Sequence, residues 1–184
     1  MSDLLSRLRL RLSDPNHIHD GADVVAAVIY PTCDSATIYD AESKLGFALP
    51  SILRSLYMTI GNGGYGPGYG LLGIGNGATA DKRDVIATYN FFREDNSTDS
   101  HWKWPAQLLP VTHLGCGMYG CLDCRDERGA VVWFEPNPHE DGTPWDTSFI
   151  PVCETFERWL EMWLDDVDWM DLAWRSKFGV GLDE

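Results

Sequence analysis

The sequence predicts an α+β fold, with helices packed on a small, mainly antiparallel sheet. Apolar residues recur at three- and four-residue steps in the first half of the chain and again near its end. Between these stretches lie short β-rich runs separated by turn residues. With 44% hydrophobic residues and eight tryptophans in 184 positions, the chain has the material for a core. A chain of this length buries roughly two-thirds of its unfolded surface without staples, so one domain spanning 1–184 is expected.

The elements follow in order. Leu4–Leu12 alternates Leu and Arg and suits a short helix or a strand. Pro15 and a polar loop interrupt it, and an apolar run from Val24 to Tyr30 ends at Pro31. "SATIYDAESKLG" reads as a helix with Ile38, Ala41 and Leu45 on one face and Gly46 as its left-handed stop. "PSILRSLYMTIG" reads as a second, with Pro50 in its first turn and a stripe of Ile52, Leu53, Leu56, Tyr57 and Ile60. After a glycine-rich stretch, in which "YGLLGI" suits a short strand, "DKRDVIATYNFFRED" reads as a third helix. Its inward residues are Val85, Ile86, Tyr89 and Phe92, and Asp81 lies near its acidic start.

"LLPVTHL", "GMYGCLDCR" and "GAVVWFEP" read as consecutive strands, the last two joined by the turn "DERG". "NPHEDGTPWDTS" reads as a loop. A strongly amphipathic helix is expected from about Thr155, placing Phe156, Trp159, Leu160, Trp163, Val167, Met170 and Trp174 inward. Glu154, Glu157, Glu161, Asp165, Asp168 and Asp171 fall on its other face, and a bend near Asp166 is left open.

Gly61 to Gly66 spells G-x-G-x-x-G, with Asp81 about twenty residues on, the dinucleotide-binding spacing. That fingerprint needs a strand before the first glycine and a helix after the last, so that helix N–H groups face the pyrophosphate. Here a helix precedes Gly61, Pro67-Gly68 follows Gly66, and no Lys or Arg lies between Arg54 and Lys82. The glycines are therefore read as a sharp turn, and no cofactor is expected.

The five cysteines are read as reduced thiols. Cys121 and Cys124 form one C-x-x-C, but on a strand positions three apart point to opposite faces and cannot grip one ion, so no metal is expected. Cys116 with His113 is the one tempting nucleophile–base pair, and nothing marks an oxyanion hole. His17, His19 and His139 sit in polar loops. No catalytic residue is expected. The N-terminus lacks an apolar signal core and nowhere do eighteen apolar residues run together, which points to the cytoplasm. A net charge of −14 repels nucleic acid and anionic membranes. The same charge serves solubility or steers a basic protein partner.

Glu42, Leu45-Gly46, Leu49-Pro50 and Asn62-Gly63-Gly64, in this order and spacing, resemble the SUKH superfamily, the Smi/Knr cell-wall-assembly regulators and their bacterial relatives. "LPVTHLGCGMYGCLDC" and "FIPVCETFERWLEMWL" are similar to that family's glycine-centred strand pair and closing Trp-Leu helix. The resemblance covers about 38–164, leaving an N-terminal segment 1–37 and a C-terminal extension 165–184. It implies a noncatalytic α+β domain, with Gly46, Pro50, Asn62, Gly63 and Gly64 as structural signature. Many bacterial members of the family are immunity proteins that neutralise a polymorphic toxin, often a nuclease, by binding it. The expectation is thus a basic toxin domain as partner and no nucleic acid or membrane; the alternative is a regulatory or scaffolding module. Expected partner-binding residues are Glu140, Asp141, Trp145 and Asp146 in the loop, with Trp145 as an exposed anchor, and Glu157, Glu161 and Asp165 on the final helix. Trp102 and Trp104 are second choices as anchors.

Overall fold

The computed structural model describes residues 2–21, 26–94 and 99–180. The alternating Leu/Arg stretch is a helix, α1 (Ser2–Arg11), whose Leu4 and Leu8 are buried. Val24 and Val25 of the apolar run lie outside the described residues, and 26–30 belongs to no helix or strand. Its Tyr30 pairs instead with the glycine loop: Tyr30 N donates to Gly63 O and Asn62 N donates to Tyr30 O.

Helix α2 (Ser35–Leu45) starts at Asp34, whose side chain accepts from Thr37 N, and stops at Gly46 with φ 78°. Ile38, Ala41 and Leu45 are its buried face. Helix α3 (Ser51–Thr59) begins one residue later than expected, because Pro50 is its N-cap rather than part of the first turn. Glu42 explains why an acidic residue belongs before this turn. Its Oε1 accepts the Leu49 N–H at 2.8 Å and lies 3.7 Å from Arg54 Nη1, tying the end of α2 to the start of α3.

The glycine stretch carries no strand. Leu71 makes an isolated bridge to Thr112 and Gly66 one to His19, and the rest is a folded loop. Asn62 staples it from within: its Nδ2 donates to Ile74 O at 2.8 Å and its Oδ1 accepts from Ile74 N at 3.0 Å. Gly63 and Gly64 both have positive φ, and a Cβ on Gly64 would stand 1.9 Å from Val28 O. Only glycine fits there.

Helix α4 (Val85–Arg93) is capped by Asp84, not by Asp81. Asp81 precedes the cap, in a turn with φ 50°. Asp95 and residues 96–98 of the following linker lie outside the described residues. The sheet has order β1-β2-β3-β4, all pairs antiparallel: β1 (Leu108–Gly115), β2 (Met118–Asp123), β3 (Ala130–Phe134) and β4 (Phe149–Cys153). Strand β4, unexpected from sequence, is an edge, where Pro151 removes no bond a neighbour needs.

The final helix is two helices. α5 (Phe156–Leu164) ends at Asp165, Asp166 turns with φ 52°, and α6 (Trp169–Phe178) starts anew at Asp168, whose side chain accepts from Asp171 N. The break lets both helices lie on one face of the sheet, where Trp133 meets Trp169 and Trp174. The other face is aromatic: Phe134 meets Phe92, Trp104 and Phe149. One buried apolar cluster runs from Leu4 to Ala173. Among the described residues no helix is long and apolar enough to cross a membrane.

Candidate partner-binding surface

Between Glu135 and Asp171 the chain holds eleven carboxylates and a single basic residue, Arg158. The fold divides this segment into two patches. The first is the loop after β3. Glu140, Asp141 and Asp146 are exposed there, and none of them makes an ion pair among the described residues. Trp145 does not stand free as an anchor. It is half-buried, its Nε1 donates to Asp99 Oδ2 at 2.7 Å, and His139 stacks on its ring at 3.5 Å. Trp102 closes its edge at 4.9 Å. The indole thus ties the acidic loop to the 99–104 segment. Asp99 is kept below the usual carboxylate range by the His101 N–H and the Trp145 indole. Of the second-choice aromatics, Trp102 is half-buried, while Trp104 is in the core with its Nε1 donating to Leu108 O.

The second patch is the outer side of α5. Glu157 and Glu161 are half-buried and Asp165 is exposed. Arg158 reaches Glu161 at 3.2 Å, and Arg7 of α1 pairs with Asp165. Such exposed pairs contribute about 0–1 kcal/mol, so they leave these carboxylates available to a stronger partner. The structure therefore does not gather the seven expected residues at one spot: four belong to the loop beside Trp102, and three to α5 beside α1.

Elsewhere the chemistry-bearing motifs are absorbed by the fold. Cys121 is buried on β2 and Cys124 follows the strand's end. Burial pushes both thiols up, Cys124 to about 12. Among the described residues no group of three or more His, Cys, Asp or Glu is arranged to hold a metal ion. His113 lies between the rings of Tyr69 and Tyr119, and burial lowers its pKa despite Asp81. Cys116 is exposed in the turn after β1.

Sequence reading missed one buried acid. Glu135 is only 8% exposed and follows β3 in phase with Val131 and Trp133, both buried. That alternation was the available signal: a carboxylate at a core-facing register.

Residues 32–162, more than half of the chain, match the SMI1 / KNR4 family (SUKH-1). The chain belongs to that family. The matched span opens just before α2 and closes within α5, so the SUKH-1 signature takes in the Glu42 tie, the Asn62 staple and the whole sheet. Helices α1 and α6 lie outside it. No curated protein matches the chain by sequence.

Proposed function

We propose that this SUKH-1 chain is a noncatalytic protein-binding domain of the cytoplasm, an immunity protein that neutralises a polymorphic toxin by covering its active site. A nuclease is the toxin class its charge fits. The observation that carries the reading is the segment from Glu135 to Asp171, with eleven carboxylates against one arginine. A nuclease holds its substrate on a basic face, and an acidic surface competes for the same groups. Charge of this sign speeds encounter with a basic partner and slows as salt screens it. The Trp145 clamp supports the reading further. A loop already held by Asp99 and His139 loses little freedom on docking, so less affinity is spent on ordering it.

The test is a pull-down with the whole protein as bait, repeated with Glu157, Glu161 and Asp165 changed to Lys. Because the ion pairs lost are exposed ones, the variant is expected to keep its fold, which circular dichroism checks. One stoichiometric, basic partner that the reversal releases supports the immunity reading. Several substoichiometric partners would favour a regulatory scaffold instead. A partner whose association rate ignores salt would remove charge from the explanation.

A further inference from the structure

Beneath the acidic loop, between the β3–β4 ladder and α6, lies a cavity of about 200 Å³ lined by Glu135, Pro138, Ser148, Ile150, Trp174 and Phe178, among others. That is several times the ~30 Å³ share of one water. Its walls are apolar and aromatic: Trp174 and Phe178 are one turn apart on α6, with ring centroids 4.4 Å apart. Its one ionisable lining residue is Glu135, more than nine-tenths buried. Both hydrogen bonds drawn to this carboxylate end on Oε1, from Asn137 N at 2.8 Å and Asn137 Nδ2 at 2.6 Å. Oε2 is left for whatever enters. The neighbouring cation of α6 does not serve it. Lys177 Nζ is held by the carbonyl oxygens of Asp146, Thr147 and Phe149, 5.7 Å from the Phe178 ring centroid, and it does not line the cavity.

A buried carboxylate with an unused oxygen, beside two aromatic rings, is complementary to a cation carried on an apolar stem. A neutral polar group would gain only the hydrogen bond, and an anion would be repelled. We propose that this cavity is an anchor pocket for one arginine or lysine side chain of the bound partner protein, its charged head on Glu135 Oε2 and its stem against Trp174 and Phe178. The proposal rests on the reading above for the source of that side chain. Thr147 lines the cavity and directly follows Asp146, so the pocket opens beside the acidic loop and the two form one docking surface.

The experiment uses the full chain labelled with ¹⁵N-tryptophan and follows the Trp174 indole signal during titration with N-acetyl-arginine amide. The neutral isostere N-acetyl-citrulline amide and tetramethylammonium are titrated in parallel. A saturable Trp174 shift is expected with the arginine probe, and about tenfold weaker binding with citrulline, as for loss of one charge-assisted hydrogen bond. Glu135→Gln keeps an acceptor for Asn137 and should weaken the arginine probe about tenfold. Phe178→Ala alters a 42%-exposed wall residue and should weaken it about two- to fivefold without touching the fold. No Trp174 shift at up to roughly 0.1 M probe, or equal binding of citrulline, overturns the pocket. Tetramethylammonium binding as tightly as arginine would instead make it a small-amine site and overturn the side-chain assignment. No toxin enters this titration, so the pocket can fail while the pull-down succeeds, and the reverse.

Discussion

Replacing Asn62 with alanine should unfasten the glycine loop. The side chain is 4% exposed and makes two hydrogen bonds to one residue, taking the Ile74 N–H on Oδ1 and giving Nδ2 to the Ile74 carbonyl. Alanine leaves that N–H buried without a partner, while the carbonyl loses one of its two bonds and keeps the one from the Gly77 N–H. The orphaned N–H costs about 1–3 kcal/mol and the second lost hydrogen bond about 1 more, so a loss of roughly 3 kcal/mol is expected. Against a total stability of about 5–15 kcal/mol this is a large share. At about 2–4 °C per kcal/mol for a chain of this size, the Tm should fall by roughly 6–12 °C. Urea denaturation followed by tryptophan fluorescence gives the same quantity from the midpoint shift. Asn62→Asp sharpens the test. When ionised it buries a charge and loses the donor; when protonated it regains both bonds. Its pKa in the fold is therefore raised, and its stability should be present at acid pH and lost as pH rises through that value. A loss below about 1 kcal/mol for Asn62→Ala would refute the idea that this staple shapes the loop.

Two further predictions come from burial. His19 is 3% exposed, its Nδ1 has no partner, and burial lowers its pKa against the pull of Asp20. Its neutral form is the stable one, so stability should be full above about pH 6.5 and decline as pH falls toward the folded value. Urea midpoints in that window should be flatter for His19→Gln, and an unchanged slope would assign the decline elsewhere. Of the five thiols, Cys116 alone is exposed, while burial raises Cys33, Cys121, Cys124 and Cys153. A thiol reagent at pH 8 should label Cys116 fast, the half-buried Cys33, Cys124 and Cys153 more slowly, and Cys121 only on unfolding; fast labelling of Cys121 would contradict its place on β2.

Local signals carried the first half of the fold. The Gly46 end of α2, the stripe of α3 and three of the four strands follow from capping chemistry and periodicity. What escaped depended on distant partners. β4 is five residues long and contains Pro151, so only its pairing with β3 makes it a strand. "YGLLGI" has the composition of a strand, but its backbone bonds are scattered among the loop itself, β1 and the start of α4, for instance Gly64 N to Leu71 O, Leu72 N to Val111 O and Val85 N to Gly73 O. The break at Asp166 puts a non-glycine residue at positive φ, which no pattern of apolar residues announces. The surface acids were visible as charge. Their division into two patches was not, because it depends on where the fold places the loop and α5. Trp145 looked like a free indole between Pro144 and Asp146, and its acceptor Asp99 lies 46 positions away.

Helix α1 has a bearing on how the protein is made. Its Leu4 and Leu8 are buried in a fold whose closing contacts are Arg7 to Asp165 and Arg11 to Asp166, residues more than 150 positions downstream. At ~5–20 residues per second, synthesis takes on the order of ten seconds or more to deliver that other half. Throughout that interval the nascent chain presents an uncovered leucine stripe, with its arginines alongside to keep it in solution. Any chain that stops short of α5 lacks the surface that covers this stripe.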